Sequence, residues 1–341
     1  MGDIISTEIH LAARPEGWPT DADFRTVTHT YGDLTPGKIR VANEFVSVDP
    51  YMRGRMNDVR SYVPPFELGQ RITGAAVGRV TDSASEDIAE GELVLHQHGW
   101  SDVIQEDAST FRVVPDVPGL SPSLRLHIFG MTGLTAYVGL TEIAGLAEGE
   151  TVFVSGAAGA VGTAAGQIAA LLGAGRVVGS AGTAEKVALL TEKYGYDAAF
   201  NYKDGDTREQ LLEVAPEGID VYFDNVGGDH LEAAIAVFND GGRAALCGAI
   251  SGYNATEPAP GPDNMMNLIT RGLTLRGFTL GGHLHLASEF DERMTGWFSE
   301  GRIAYDETVV DGIENVVGAF LGMMRGENVG KMLVRVGGAG Q

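Results

Sequence analysis

Two glycines three residues apart, Gly159 and Gly162, stand between a short apolar run, Thr151 to Ser155, and a small-residue stretch reaching about Leu172. A second apolar run follows from Arg176 to Ser180. Strand, glycine turn, helix and strand form a unit whose side-chain-free backbone can approach a pyrophosphate, with N–H donors at the helix start. The spacing is that of the last two glycines of a dinucleotide-binding loop; Ala157 occupies the first position, with Gly156 one residue earlier. The second strand ends in Ser180-Ala181-Gly182 and offers no carboxylate to a ribose 2′-hydroxyl, while Lys186 lies one helical turn further on. A neutral end followed by a cation suits a 2′-phosphate, so the expected cofactor is NADP(H). The alternative reading of Lys186 is a solvated helix lysine.

Two phenols are candidates for polar chemistry. Tyr253 follows an apolar strand, at the end where ligands of doubly wound sheets bind, and can donate to a carbonyl oxygen. Tyr51 follows Asp49-Pro50, where the proline restricts the approach of the chain. Packing is the competing role for both. His96 and His98 share their spacing with His283 and His285, but no cysteine or carboxylate pattern completes a metal site, and none is expected. Cys247 ends an apolar strand and reads as packing near the cofactor, not as a ligand or nucleophile. Arg53 and Arg55 read as surface or interface residues. Met265 and Met266 read as an adaptable apolar wall or as core.

These residues need elements to position them. Phe24–Tyr31, Lys38–Val48, residues 69–80, residues 91–96 and Phe111–Val114 read as strands of a β-rich region. Leu124–Phe129 and Gly133–Ala144 look helical. Beyond the opening unit, helices are expected at Thr183–Tyr194, Thr207–Val214, Asp229–Phe238 and 286–299. They alternate with strands at Ala198–Asn201, Ile219–Val226, Gly242–Ala249 and Leu273–Leu280. The alternation predicts an α/β domain with a doubly wound, mostly parallel sheet. The tail from Tyr305 returns to the β-rich domain. The expected limits are 1–128 with 305–341 for the β-rich domain and 129–304 for the cofactor domain.

The 341 residues carry 46 Asp and Glu against 24 Lys and Arg, a formal net charge of −22. Such a surface repels nucleic acid and anionic membrane. There are five lysines, Lys38, Lys186, Lys193, Lys203 and Lys331. Acid excess with so few lysines suggests a salt-adapted, halophilic host, against an ordinary acidic enzyme. With no 18-residue apolar run, no basic-then-apolar N-terminus and one cysteine, a cytoplasmic protein without membrane spans is expected.

The chain resembles the zinc-independent medium-chain dehydrogenase/reductases, in the branch of leukotriene B4 12-hydroxydehydrogenase/prostaglandin reductase with curcumin and 2-alkenal reductases. The resemblance rests on Ser47–Met56 (Ser-Val-Asp-Pro-Tyr-Met-Arg-Gly-Arg-Met), Gly130–Tyr137, Ser155–Gly162, Gly179–Gly182 with Glu185-Lys186, Phe200–Lys203, Tyr222–Gly228, Cys247–Asn254 and Asn328–Lys331. These stretches run in order through nearly the whole chain. The resemblance implies a Rossmann domain beside a GroES-like β-rich catalytic domain, a homodimer, and NADPH-dependent reduction of carbon–carbon double bonds conjugated to a carbonyl. It implies that Lys186 and Tyr202 contact the 2′-phosphate and that Ala160, Val161, Gly162 and Thr163 cover the pyrophosphate. Asn225 would face the cofactor. Cys247, Gly248, Ala249, Ile250, Ser251, Tyr253, Phe278, Thr279, Leu280 and Asn328 would line the nicotinamide side. At 278–282 the family is usually bulkier than Phe-Thr-Leu-Gly-Gly.

Reduction of an enone requires a hydride held near the β-carbon, a donor to the enolate oxygen, a proton for the α-carbon and exclusion of bulk water. Tyr253 is the first choice of donor and Tyr51 the second. Two other readings stay open: a quinone oxidoreductase of the same superfamily, and a non-catalytic NADPH-binding protein.

Overall fold

The computed structural model describes residues 3–117 and 119–337. Its Cα packing divides into two units. The first holds residues up to Leu126, Glu307–Asn328 and the chain from Met332; the second holds His127–Asp306 and Val329–Lys331. Val329–Lys331, which the sequence expectation assigns to the β-rich domain, pack with the second unit. The Gly330 amide donates to Ala158 O (2.9 Å) and that of Lys331 to Asp306 O (3.1 Å).

The second unit runs α1 (Met131–Val138), β1 (Thr151–Val154), α2 (Ala160–Leu171), β2 (Arg176–Ala181), α3 (Ala184–Glu192), β3 (Ala198–Asn201), α4 (Thr207–Val214), β4 (Ile219–Asp224), α5 (Gly228–Val237), β5 (Phe238–Leu246), β6 (Thr274–Gly277) and α6 (Ala287–Ser299). The six strands pair in parallel in the order β3-β2-β1-β4-β5-β6. This is the doubly wound order, reversing between β1 and β4, where such sheets open a ligand crevice. The central strands are apolar along Val152–Val154 and Val221–Phe223 because both faces are covered. Phe153 stacks on Tyr222 and Phe200, with centroids 5.0 and 5.9 Å away. Thr183 caps α3 by accepting from the Lys186 amide (3.3 Å), and Asp206 caps α4 through the Glu209 amide (3.0 Å).

In the first unit, strands Ile4–Leu11 and Phe24–Tyr31 pair antiparallel. A seven-stranded sheet is built on Lys38–Ser47, which pairs on one edge with Ala76–Ser83 and on the other with both Val103–Asp107 and Lys331–Arg335. Ile39, Val41, Val80, Val94 and Ile104 form its core.

Several elements differ from the sequence expectation. Residues 69–75 are not strand: Ile72 instead bridges Ile9 O and the Trp100 amide, so the ladder begins at Ala76. Leu124–Phe129 is not an α-helix but a 3-10 turn over Pro122–Leu126, after which His127 O gathers the amides of Gly130 and Gly133 and the Thr132 hydroxyl. The strand expected to reach Leu280 stops at Gly277, where Phe278 turns to pack its ring on Phe223 (6.4 Å). Tyr51–Arg55 and Met266–Thr270 are short helices.

Candidate active site

The loop after β1 is shaped by glycine. Gly156 adopts φ +58°, and a Cβ on Gly162 would lie 2.5 Å from Gly156 O and 2.6 Å from Ala157 Cα. No side chain fits there, so helix and turn approach as a pyrophosphate cradle requires. Gly159 is the N-cap of α2 and provides no side-chain cap, leaving the first-turn amides of Ala160, Val161 and Gly162 without a capping acceptor. Thr163 differs: it is buried, its amide donates to Gly159 O (2.9 Å) and its hydroxyl to Ala160 O (3.3 Å).

Across the switch point, β4 ends in a buried carboxylate, Asp224, which the sequence expectation left inside the strand Ile219–Val226 without a role. Asp224 Oδ1 accepts from Ser155 Oγ (3.1 Å), Tyr222 OH (2.6 Å) and the amides of Val226 (2.9 Å) and Gly227 (2.8 Å). Four donors balance one buried charge and hold the two crevice walls together. Asn225 donates its amide to Ser155 Oγ (3.0 Å) and its side chain to Ser155 O (2.8 Å). The amides of Cys247 and Gly248 donate to Asp224 O, that of Ile250 to Asn225 O, and that of Ser251 to Val226 O. The segment 247–251 is thus fixed against the loop after β4. Ala249 sits beside Gly227, whose Cβ, if present, would meet the Ala249 Cβ at 3.1 Å.

Tyr253 follows on the next turn, its phenol oxygen 3.4 Å from where a Gly248 Cβ would be. Burial raises its pKa, with Cys247 and Asp224 adding and the Ala249 backbone hydrogen bond opposing. At neutral pH the phenol therefore keeps its proton as a donor. Burial, with the Asp224 charge, pushes the Cys247 thiol up to about 12, which suits packing and not thiolate chemistry.

The end of β2 gathers cations. A Cβ on Gly182 would lie 3.1 Å from Tyr202 OH and 3.4 Å from Lys203 Cε. Lys203 Nζ lies 5.8 Å from the Tyr202 ring, and Tyr202 meets His230 edge-on at 5.1 Å. Burial lowers the Lys186 pKa, and the charge of Lys203 lowers it further, so two of five lysines converge beside a neutral strand end. This arrangement fits a 2′-phosphate. Lys203 was not among the expected contacts, although lysine scarcity marked it.

Other expected residues are dispersed. Phe278 turns its ring to Phe223 and Gly139, and Thr279 and Leu280 open a 3-10 turn. Asn328 and Tyr51 belong to the first unit. Arg53, expected at the surface, is buried, donating to Pro15 O (3.3 Å), Gly17 O (2.8 Å) and Asn57 Oδ1 (2.8 Å). His96 is buried against Asn43 Oδ1 (2.8 Å) and accepts at Nδ1 from the His98 amide (3.1 Å), a packing role. Met265 and Met266 are exposed, against the core reading. Among the described residues no group of three His, Cys, Asp or Glu is placed to hold a metal.

Comparison with known proteins adds the following. Residues 7–114 match the family described as the N-terminal domain of oxidoreductase, and residues 160–300 the family described as zinc-binding dehydrogenase. Prostaglandin reductase 1 of Bos taurus is 42% identical, with 94% of this chain and 95% of the relative covered. The NADPH-dependent curcumin reductase of Escherichia coli is 39% identical, with 96% of each covered. The crystal structure of CurA from Vibrio vulnificus in complex with NADPH superposes with a TM-score of 0.92 at 38% identity, covering 97% of this chain and 99% of that one.

Proposed function

The chain belongs to the medium-chain dehydrogenase/reductase superfamily, with prostaglandin and curcumin reductases as relatives, and from that premise we propose how it reduces conjugated carbon–carbon double bonds with NADPH. It is an NADP-dependent oxidoreductase acting on α,β-unsaturated ketones and aldehydes. The observation that carries the cofactor choice is the β2 end, where Gly182 leaves room beside Tyr202 and Lys203 with Lys186 close by. NADPH, when bound, supplies the hydride for the β-carbon. The second unit is the cofactor domain: the amides of Ala160, Val161 and Gly162 face the pyrophosphate, and Lys186, Tyr202 and Lys203 hold the 2′-phosphate. Asn225 and 247–251 shape the nicotinamide side with the backbone of 278–280. The first unit is the β-rich catalytic domain.

Tyr253 donates to the substrate oxygen as negative charge develops there, directly or through a ribose hydroxyl; its buried, protonated phenol supports this role. Tyr51 is the second donor. Turnover is followed by loss of NADPH absorbance on a conjugated enone and on a simple quinone. A preference for the enone is expected, and a quinone preference would reject the substrate class. Tyr253→Phe should lower enone turnover about 100-fold with little change in the KM for NADPH; unchanged turnover would reject the donor assignment.

The working form is a homodimer. Support comes from β6 at the sheet edge and from Met265, Met266, Ile269 and Leu284, all largely exposed. The single cysteine, Cys247, suits a reducing cytoplasm, and no helix among the described residues is long and apolar enough to cross a membrane. The net charge of −22 supports a halophilic setting, with activity higher in molar KCl than in dilute buffer.

A further inference from the structure

A closed ring of hydrogen bonds begins and ends at the first turn of α2. Gln167 on that helix is buried, and both ends of its side-chain amide are engaged. Nε2 donates to Thr163 O (2.8 Å) and to Ala304 O (2.9 Å), and Oε1 accepts from the Ala304 amide (2.7 Å). The side chain pairs with the backbone of Ala304 as a neighbouring strand would. Two residues on, Asp306 O accepts from the Lys331 amide (3.1 Å), and the Gly330 amide donates to Ala158 O (2.9 Å). Ala158 precedes Gly159, the N-cap of α2, which forms an isolated parallel bridge with Gly330. The ring thus passes from Thr163 through Gln167, Ala304, Asp306 and Gly330 to Ala158, and every member lies in the second unit. Between its two ends stand Ala160, Val161 and Gly162.

Gly330 adopts φ +62°, and a Cβ there would lie 1.9 Å from Asp306 O, so only glycine seats the chain between Asp306 and the loop. Asp306 is in turn held from outside the ring. Its Oδ1 accepts from Lys193 Nζ (2.6 Å) and its Oδ2 from Tyr194 OH (2.5 Å), both directly after α3, and Lys193 Nζ also donates to Tyr305 O (3.2 Å). Burial raises the Tyr194 pKa and the Asp306 carboxylate raises it further, so the phenol keeps its proton and donates. A partly exposed ion pair contributes little stability by itself; here it fixes where residues 304–306 lie. The φ and ψ of the glycine loop set the loop's shape, and the ring resists tilting of the helix start that the loop enters.

We propose that Gln167 is a positioning residue for the cofactor: by clasping Ala304 to the first turn of α2, it closes the ring that keeps the amides of Ala160, Val161 and Gly162 aimed at the pyrophosphate. Gln167 acts through the ring, and no covalent bond is made or broken. Its effect belongs to the pyrophosphate end, because Lys186, Tyr202 and Lys203 are not members of the ring. The inference rests on the reading of the glycine loop as the pyrophosphate cradle.

The test compares two ligands titrated against the full chain: NADPH, and adenosine 2′-monophosphate, which carries the 2′-phosphate without the pyrophosphate. Gln167→Met keeps the side-chain length but has neither the donor nor the acceptor. It should raise the Kd for NADPH about tenfold, the scale of an amide displacement under about 1 Å. The Kd for adenosine 2′-monophosphate, and kcat at saturating NADPH, should stay within about twofold of the parent, since neither depends on the aim of those amides. Asp306→Ala, at a partly exposed position, is the folded alternative if Gln167→Met is unstable, and should show the same pattern at about threefold. The double variant should lose no more than Gln167→Met alone, because both substitutions open one ring. Equal losses for the two ligands would mark a general loosening of the unit and overturn the inference. An unchanged NADPH Kd in the folded single variants, or additive losses in the double variant, would overturn it as well. If Gly162→Ala leaves NADPH affinity unchanged, the cradle reading itself falls, and the inference with it.

Discussion

The glycine loop after β1 and the helix Tyr51–Arg55 hold candidate residues by opposite means. In the loop, everything needed for its shape lies between Ser155 and Thr163: a left-handed Gly156, a Gly162 that no Cβ could replace, and an uncapped helix start. In the helix, Arg53 is anchored by Pro15 and Gly17, and Arg55 by Pro64 and Thr73. The loop offers backbone amides, whose positions follow from local φ and ψ. The helix offers a side chain, whose position depends on distant carbonyls. Anion cradles made of backbone are accordingly readable as short motifs, and donor sites made of side chains are not.

Substitutions can break that contrast. The largest effect is expected from Gly162→Ala, whose methyl would meet Gly156 O at 2.5 Å. Displacing the amides by even about 1 Å should raise the KM for NADPH about 100-fold, measurable by fluorescence titration. An unchanged affinity would show that the loop is not the cradle. In the helix region the corresponding damage is to stability. Arg53→Met removes a buried cation and leaves two carbonyl acceptors, those of Pro15 and Gly17, without it. A loss of about 3 kcal/mol is expected in urea unfolding, with the NADPH affinity of the folded protein preserved.

A smaller effect, on the cofactor alone, is expected from Lys186→Ala. It should raise the KM for NADPH about tenfold and leave that for NADH nearly unchanged. The pH dependence has a definite sign. In the proposed role the protonated amine holds the phosphate, and burial with the neighbouring Lys203 lowers its pKa below the ordinary 10.5. Affinity is therefore full at neutral pH and lost as pH rises through the lowered pKa, earlier than for an exposed lysine. An NADPH KM flat to pH 10.5 would separate Lys186 from the phosphate.

The same contrast explains how much was legible beforehand. The β-α-β unit, the Thr183 cap and the alternation through β5 followed from period and local chemistry. The strand Val103–Asp107 did not, because Gln105-Glu106-Asp107 has the polarity of a turn; it is a strand through its pairing with Lys38–Ala42. The helix at Tyr51 is too short to show a period, and Arg53 has the composition of a surface residue. Asp224 and Lys203 were in view as residues, but their roles arise from neighbours 69 residues away in one case and from a converging lysine in the other. Phe278 was expected to extend β6 because an apolar run does not reveal where a ring leaves the ladder.

The pairing of Lys331–Arg335 with Lys38–Ser47 also sets an order of assembly. Leu333 lies opposite Ser47, so nearly the whole chain must be synthesised before that edge can close. The six strands of the parallel sheet are all present once Gly277 has been made. On an elongating chain the nucleotide-holding sheet can therefore close first, while an unfinished antiparallel edge waits on the N-terminal side. Truncation after residue 330 should leave the former intact and the latter open to self-association.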